Sequence, residues 1–175
     1  MSGGLLENCL IASNSLTATY PIESARGGGV FNGGGRVVNC TVVKNKATGD
    51  GGGIYNDGGF VTNSVFWSNR SRYFYDSNGV PNDVDGTTTN AIFYSCASNL
   101  VAGVQSNVTA YPKFKNVEQD NFRLDFGSPC VNSGYTFDWM ETAKDLDGQP
   151  RIRQRVVEMG AYELAPALGT VLMIQ

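Results

Sequence analysis

Short runs in which apolar and polar residues alternate recur along the first part of the chain, separated by turns rich in glycine and asparagine. Four segments align without gaps at 8–14, 39–45, 63–69 and 90–96, and each begins with an asparagine. A second motif, Gly-Gly-Gly-Val-Phe-Asn at 27–32, returns as Gly-Gly-Gly-Ile-Tyr-Asn at 51–56. Both motifs recur after 24 residues, at 27 and 51 and at 39 and 63. A shared repeat of this length predicts an all-β solenoid, a parallel β-helix with one coil per repeat.

Alternation within each segment predicts which side chains face the core. The inward set comprises Ile11, Val42, Phe66 and Phe93, with the small residues Cys9, Cys40, Ser64 and Ala91 two positions earlier. The outward positions, which include Trp67 and Tyr94, are more apolar than a solvated face should be, and this indicates a covered surface or an interface.

Two interpretations of this outer face remain open. The non-repetitive region after Asn99 could fold back over it. Alternatively, it is a ligand-binding surface that stacks on sugar rings, since aromatic rings offer flat apolar faces with a polar edge. The residues of that surface would be Trp67 and Tyr94, with Tyr73, Phe74 and Tyr75 on the adjacent loop.

The recurring asparagines predict two structural ladders. Asparagine tolerates the left-handed conformation that turns require, and its amide can hydrogen-bond to the same amide one coil above or below. One ladder is expected to contain Asn8, Asn39, Asn63 and Asn90, and the other Asn14, Asn45 and Asn69.

Composition argues against several classes of function. The 175 residues include no histidine, which excludes Ser-His-Asp and Cys-His catalysis. A net charge of −3 gives no electrostatic footprint for nucleic acid. The apolar tail from Leu164 to Ile174 contains Pro166 and Gly169 and is too short to span a bilayer, so no transmembrane segment is expected.

The C-terminal motifs carry a family resemblance. They include Gly-Ser-Pro-Cys-Val-Asn-Ser-Gly at 127–134, Asp-Leu-Asp-Gly-Gln-Pro-Arg-Ile at 145–152 and Val-Glu-Met-Gly-Ala-Tyr-Glu at 157–163. In this order they resemble the C-terminal module of bacterial right-handed parallel β-helix proteins of the pectin-lyase-like superfamily, of the choice-of-anchor Q type. The Gly-Gly-Gly-Ile-Tyr-Asn motifs look like repeats of polymorphic outer-membrane proteins. The resemblance implies a secreted or cell-surface bacterial protein, a part of a longer chain.

Within a single domain we expect β-helix coils over 1–99 and a segment over 100–175 that continues or caps them. The expected function is a non-catalytic module that binds a polysaccharide or surface glycan or displays loops for adhesion. The alternative is the C-terminal scaffold of a polysaccharide lyase or glycoside hydrolase whose catalytic coils lie upstream. The predicted coils carry no carboxylate cluster, which favours the first hypothesis. The oligomeric state is left open.

Two further features have simple structural interpretations. Asp145 and Asp147 resemble half of a calcium loop, but the ligand set is incomplete, so a turn is expected, with Arg151 pairing a carboxylate such as Glu158. In an exported protein Cys96 and Cys130 are the candidates for a disulfide. Cys9 and Cys40 occupy equivalent positions in successive coils, at a spacing that a disulfide could bridge, but stacked buried thiols are the preferred interpretation.

Overall fold

The computed structural model describes residues 3–18, 24–71, 80–153 and 156–164, and within these ranges the chain is all-β, with short 3-10 turns. The 3-10 turns lie at Thr89–Ala91, Val104–Ser106 and Asp138–Glu141. The strands are β1 (Leu5–Glu7), β2 (Leu10–Ala12), β3 (Ser15–Leu16), β4 (Val30–Asn32), β5 (Arg36–Val38), β6 (Thr41–Val43), β7 (Lys46–Ala47), β8 (Ile54–Asn56), β9 (Phe60–Thr62), β10 (Val65–Trp67), β11 (Arg70–Ser71), β12 (Val80–Pro81), β13 (Val84–Asp85), β14 (Ile92–Phe93), β15 (Cys96–Ala97), β16 (Phe114–Asn116) and β17 (Asn121–Leu124).

Each repeat contributes one strand to each of several parallel sheets. The sheet orders are β1-β5-β9-β14, β2-β6-β10-β15, β3-β7-β11-β12 and β4-β8-β13, and only the β11–β12 pair among them is antiparallel. In the first sheet Leu5 lies opposite Arg36, and Arg36 lies opposite Phe60. The second and third sheets pair their strands with the same two sequence offsets, so equivalent residues of successive repeats lie side by side.

The fourth repeat departs from the gap-free alignment. Val61 lies opposite Ile92, so the residue equivalent to Asn63 is Tyr94 and not Asn90. Tyr94 adopts a left-handed φ of 46°, close to the 52° of Asn63. The prediction for Asn90 is wrong, because the turn at Thr89–Ala91 adds residues before β14 and leaves Asn90 exposed.

The shifted register also changes the inner face of the last repeat. Ala97, not Phe93, lies beside Phe66. Tyr94 is equivalent to Asn63, so the next residue, Ser95, is equivalent to Ser64. Ser95 therefore occupies the small-residue position that was expected for Ala91.

The core lies between the parallel sheets. Its buried side chains are Val30, Val37, Cys40, Val42, Ile54, Val61, Phe66, Val84, Ile92 and Ala97, with Leu6, Cys9, Ile11 and Leu100 packed against them. The glycine runs allow the sheets to meet: a Cβ on Gly52 would lie 2.3 Å from the backbone of Arg70. The expected inward positions Ile11, Val42 and Phe66 belong to this cluster.

Candidate functional site

The outer apolar face is packed against the C-terminal segment. A second cluster joins residues of β6, β10 and β15 to the antiparallel hairpin β16–β17 and to later residues: Val43, Val65, Cys96, Phe114, Phe122, Leu124, Cys130 and Met159. The covered-surface interpretation therefore describes this face.

Trp67 and Tyr94 do not form one exposed platform. Trp67 is half-buried and its ring centroid lies 5.7 Å from that of Tyr111, while Tyr94 lies 5.3 Å from Tyr135. Tyr94 also occupies a turn and not the outward strand position expected for it. These contacts contradict a sugar-stacking surface centred on the two rings; Tyr73, Phe74 and Tyr75 lie outside the described residues.

Sequence reasoning missed a row of rings that continues from Tyr94. Tyr135 and Phe137 have centroids 4.9 Å apart, and Phe137 stacks on Trp139 at 6.4 Å. Tyr135 is 47% exposed and Trp139 is 39% exposed, so part of this aromatic row faces solvent. The alternation Tyr-x-Phe-x-Trp at 135–139 is the signal that could have found it.

A directional column of amides runs through one turn of the stack. The backbone N–H and the side-chain Nδ2 of Asn14 both donate to Oδ1 of Asn45 at 2.9 Å. Asn45 donates in the same way to Oδ1 of Asn69, and Asn69 donates to Oδ1 of Asp83. The remaining oxygen of Asp83 accepts from the backbone and hydroxyl of Ser98. Asp83 therefore ends the column.

The other predicted ladder is not continuous. Asn8, Asn39 and Asn63 share a left-handed φ of 50–52°, but their side chains mainly bind the C-terminal segment. Asn8 donates to the carbonyl of Lys144, and Asn63 bridges the backbone of Tyr135.

One side-chain contact joins neighbouring members of that ladder. Asn39 lies 3.0 Å from the side-chain nitrogen of Asn63. With its oxygen turned towards Arg151, Asn39 accepts from Nε at 2.8 Å and Nη2 at 2.7 Å. These turns therefore anchor the C-terminal segment.

A further amide column was missed. Asn32 donates to Oδ1 of Asn56 at 2.8 Å, and Asn56 donates to the carbonyl and hydroxyl of Thr88. The asparagine that ends both glycine-rich motifs is the signal that would have predicted it.

A buried charged cluster holds the C-terminal segment against the sheets. Arg151 is fully buried and pairs with Glu163 at 2.9 Å, not with Glu158 as expected. It also donates to the carbonyl of Gly160 at 2.7 Å. Burial raises the pKa of Glu158 to about 7 and that of Glu163, despite Arg151, to about 8. Oε2 of Glu158 is buried without a hydrogen-bond partner among the described residues.

Asp145 and Asp147 belong to a turn whose oxygens are already engaged. Asp145 accepts from the backbone N–H groups of Asp147, Gln149 and Glu163 at 2.7–2.9 Å. Asp147 pairs with Arg123 at 2.5 Å. Across the described ranges, no three Cys, Asp or Glu side chains are grouped closely enough to hold a metal ion.

All four cysteines are free thiols in the structure. Cys96 and Cys130 are both fully buried in the same cluster, so the candidate disulfide pair is brought together as free thiols. Cys9 and Cys40 occupy equivalent positions in neighbouring repeats, and Cys9 is partly buried.

A basic groove lies beside the amide column, on the turn that leads into β3, β7 and β11. Its volume is about 480 Å³, and its lining residues are Ser13, Asn14, Ser15, Lys44, Lys46, Ser68 and Arg70. Ser15, Lys46 and Arg70 lie side by side in successive strands. Lys46 and Arg70 are exposed, and Lys44 pairs with Asp120 at 2.7 Å. The described lining residues offer cations, hydroxyls and an amide.

The fold and the groove define an all-β protein of stacked parallel sheets with a cationic, hydroxyl-rich surface. No protein-family model, curated protein or solved structure matches the chain. No helix in the described ranges is long and apolar enough to cross a membrane.

Proposed function

We propose that this chain is a non-catalytic, secreted or cell-surface module with a right-handed parallel β-helix fold, and that it binds an acidic glycan in the basic groove. The β-helix is supported by the equal sequence offsets between paired strands in adjacent sheets, since one strand per repeat in each sheet is what stacked coils require.

The observation that carries the binding proposal is the row Ser15–Lys46–Arg70 on neighbouring strands. Parallel strands are about 4.8 Å apart, so this row presents polar groups at regular short steps along the stack. Guanidinium and ammonium groups bind carboxylates and sulfates, and the hydroxyls of Ser13 and Ser68 can bond sugar hydroxyls. A repeating anionic polymer matches a repeating cationic row.

Binding without turnover is supported by the chemistry of the lining. Glycoside hydrolysis uses two carboxyl groups that flank the bond to be broken. Among the described residues that line the groove there is no Asp or Glu pair of this kind; their side chains are groups suited to recognition.

The test is binding to immobilised polygalacturonate, alginate, a sulfated glycan and a neutral glucan. The acidic polymers should retain the protein, and retention should fall as salt rises, since exposed charges are screened. Lys46→Ser combined with Arg70→Ser should weaken binding about tenfold, at about 0.5–1 kcal/mol for each exposed cation. The matched control is Lys115→Ser, an exposed lysine on β16, which should bind as the unaltered chain does.

Other outcomes contradict the proposal in distinct ways. Binding that is lost in Trp139→Ala but kept in the double variant would place the site on the aromatic row. Equal retention by neutral and acidic polymers would show that the cations of the groove do not determine binding. New reducing ends or unsaturated products would favour the polysaccharide-degrading alternative.

A further inference from the structure

The small-residue position between the first two sheets forms a column whose members are two cysteines followed by two serines: Cys9, Cys40, Ser64 and Ser95. In each layer the side chain contacts the carbonyl two residues earlier: Cys9 Sγ reaches Glu7 O at 3.0 Å, and Cys40 Sγ reaches Val38 O at 3.2 Å. Ser64 and Ser95 repeat this contact at 3.0 and 2.8 Å. The hydroxyls of Ser64 and Ser95 also accept from the backbone N–H of the preceding layer. The four side chains therefore have the same orientation.

This register brings the two thiols into contact. Asn8 N–H donates to Val38 O, and Thr41 N–H donates to Cys9 O, so Cys9 and Cys40 are equivalent residues of neighbouring parallel strands. Strands in a sheet lie about 4.8 Å apart, within the range of about 4.4–6.8 Å that a disulfide requires between its α-carbons. Sγ of Cys40 also lies 3.6 Å from the carbonyl oxygen of Leu6, so it is directed towards the first repeat, which contains Cys9.

The two cysteines differ in exposure. Cys9 lies in the first repeat and is partly exposed, whereas Cys40 has no exposed surface. The hydrogen bond from Cys40 lowers the pKa of Cys9 to about 6, and it raises that of Cys40. An accessible thiolate therefore lies beside a buried thiol, which is the arrangement of an attacking and a resolving cysteine.

We propose that Cys9 and Cys40 form a thiol pair that reacts with low-molecular-weight disulfides and closes into a disulfide between the first two repeats. The thiolate of Cys9 attacks one sulfur of the small disulfide, forming a mixed disulfide and releasing one thiolate. Cys40 then loses its proton and attacks Sγ of Cys9, which releases the second small thiol. Two protein thiols are oxidised and one small disulfide is reduced to two thiols.

The other cysteine pair provides an internal control. Cys96 and Cys130 belong to one cluster, but both are fully buried where the C-terminal segment packs against β15. The neighbouring Cys130 and burial both raise the pKa of Cys96, and neither sulfur is accessible to a small disulfide. Oxidation of the folded protein should therefore select the first pair.

The experiment exposes the folded, reduced chain to oxidised glutathione and maps the products by mass spectrometry. The unaltered chain should lose two hydrogen atoms and show a link between Cys9 and Cys40, with Cys96 and Cys130 still reduced. Cys40→Ser should stop at a stable glutathione adduct on Cys9, and Cys9→Ser should form neither product. Serine is a suitable replacement because Ser64 and Ser95 fill the same position in later repeats.

The oxidised chain should also unfold at a higher temperature than the reduced one, because the new bond closes a loop in the unfolded chain and so lowers its conformational entropy. Oxidation of Cys96 and Cys130 at the same rate as the first pair would overturn the proposal. So would an unaltered chain that stops at the mixed disulfide, since Cys40 would then not resolve it.

Discussion

Removal of the side-chain amide of Asn69 should destabilise the protein far more than removal of that of Asn14, although both residues belong to one column. Asn69 is fully buried, accepts from the backbone and the side chain of Asn45, and donates to the carbonyl of Val42 at 2.9 Å. Asn14 is exposed at the first layer.

The size of each loss in unfolding free energy depends on how many buried groups the substitution leaves without a hydrogen-bond partner. Asn69→Ala removes the acceptor of the Asn45 backbone N–H and the donor to Val42 O, and both groups are buried. Each orphaned buried polar group costs about 1–3 kcal/mol, so the expected loss is about 2–6 kcal/mol. In Asn14→Ala the backbone N–H of residue 14 still donates to Asn45, so the loss should be about 0.5–1.5 kcal/mol.

Urea unfolding followed by circular dichroism measures both losses, provided that the unfolding transition is two-state. Asn69→Asp adds a test with nearly unchanged volume. It keeps an acceptor for Asn45 but places a second carboxyl against Asp83, so its destabilisation should grow as pH rises and that carboxyl ionises. Equal losses for Asn69→Ala and Asn14→Ala would refute the reasoning, because burial would then make no difference to the amide.

Two further predictions concern backbone packing and pH. Gly52→Ala should cost clearly more than the roughly 1 kcal/mol expected for Gly103→Ala in thermal unfolding, since a Cβ at Gly52 meets backbone at 2.3 Å and one at Gly103 meets nothing within 4 Å. Because the folded-state pKa of Glu158 is raised to about 7, the folded chain holds a proton that the unfolded chain releases, so stability should fall as pH rises from about 4.5 to 7. Glu158→Gln should make the loss of stability with pH smaller, whereas Glu141→Gln, at an exposed position, should leave it unchanged. If Glu158→Gln did not change the pH dependence of stability, the raised pKa would not belong to Glu158.

Local periodicity made the all-β repeats and their first two offsets predictable. The inward positions of Val42 and Phe66 followed from alternation, because one face of each short strand must be buried. The register of the fourth repeat was not predictable, because a turn can gain residues without changing the pattern of the strand after it. Asn90 matched the motif in sequence, while Tyr94 occupies the equivalent turn in space.

The basic groove could have been found from the same periodicity. Ser15, Lys46 and Arg70 are separated by the same sequence offsets as Asn14, Asn45 and Asn69, each of which directly precedes one of them. Docking of the C-terminal segment could not be predicted, because contacts such as that of Asn63 with Tyr135 join distant parts of the chain without any repeat. Aperiodic pairs leave no pattern in a single sequence.

The direction of the amide column explains why the stack of amides stops at Asp83. Every asparagine of the column donates its backbone and side-chain N–H groups to the oxygen of the next layer, so each layer must supply an acceptor. A carboxylate supplies only acceptors and has no N–H to pass on. At Asp83 the donors instead come from Ser98 on the far side, at 3.2 Å from its backbone N–H and 2.5 Å from its hydroxyl. Hydrogen-bond chemistry thus makes the Asp83 end unlike every layer before it, because the side chain of Asp83 could not donate to an asparagine in a further layer.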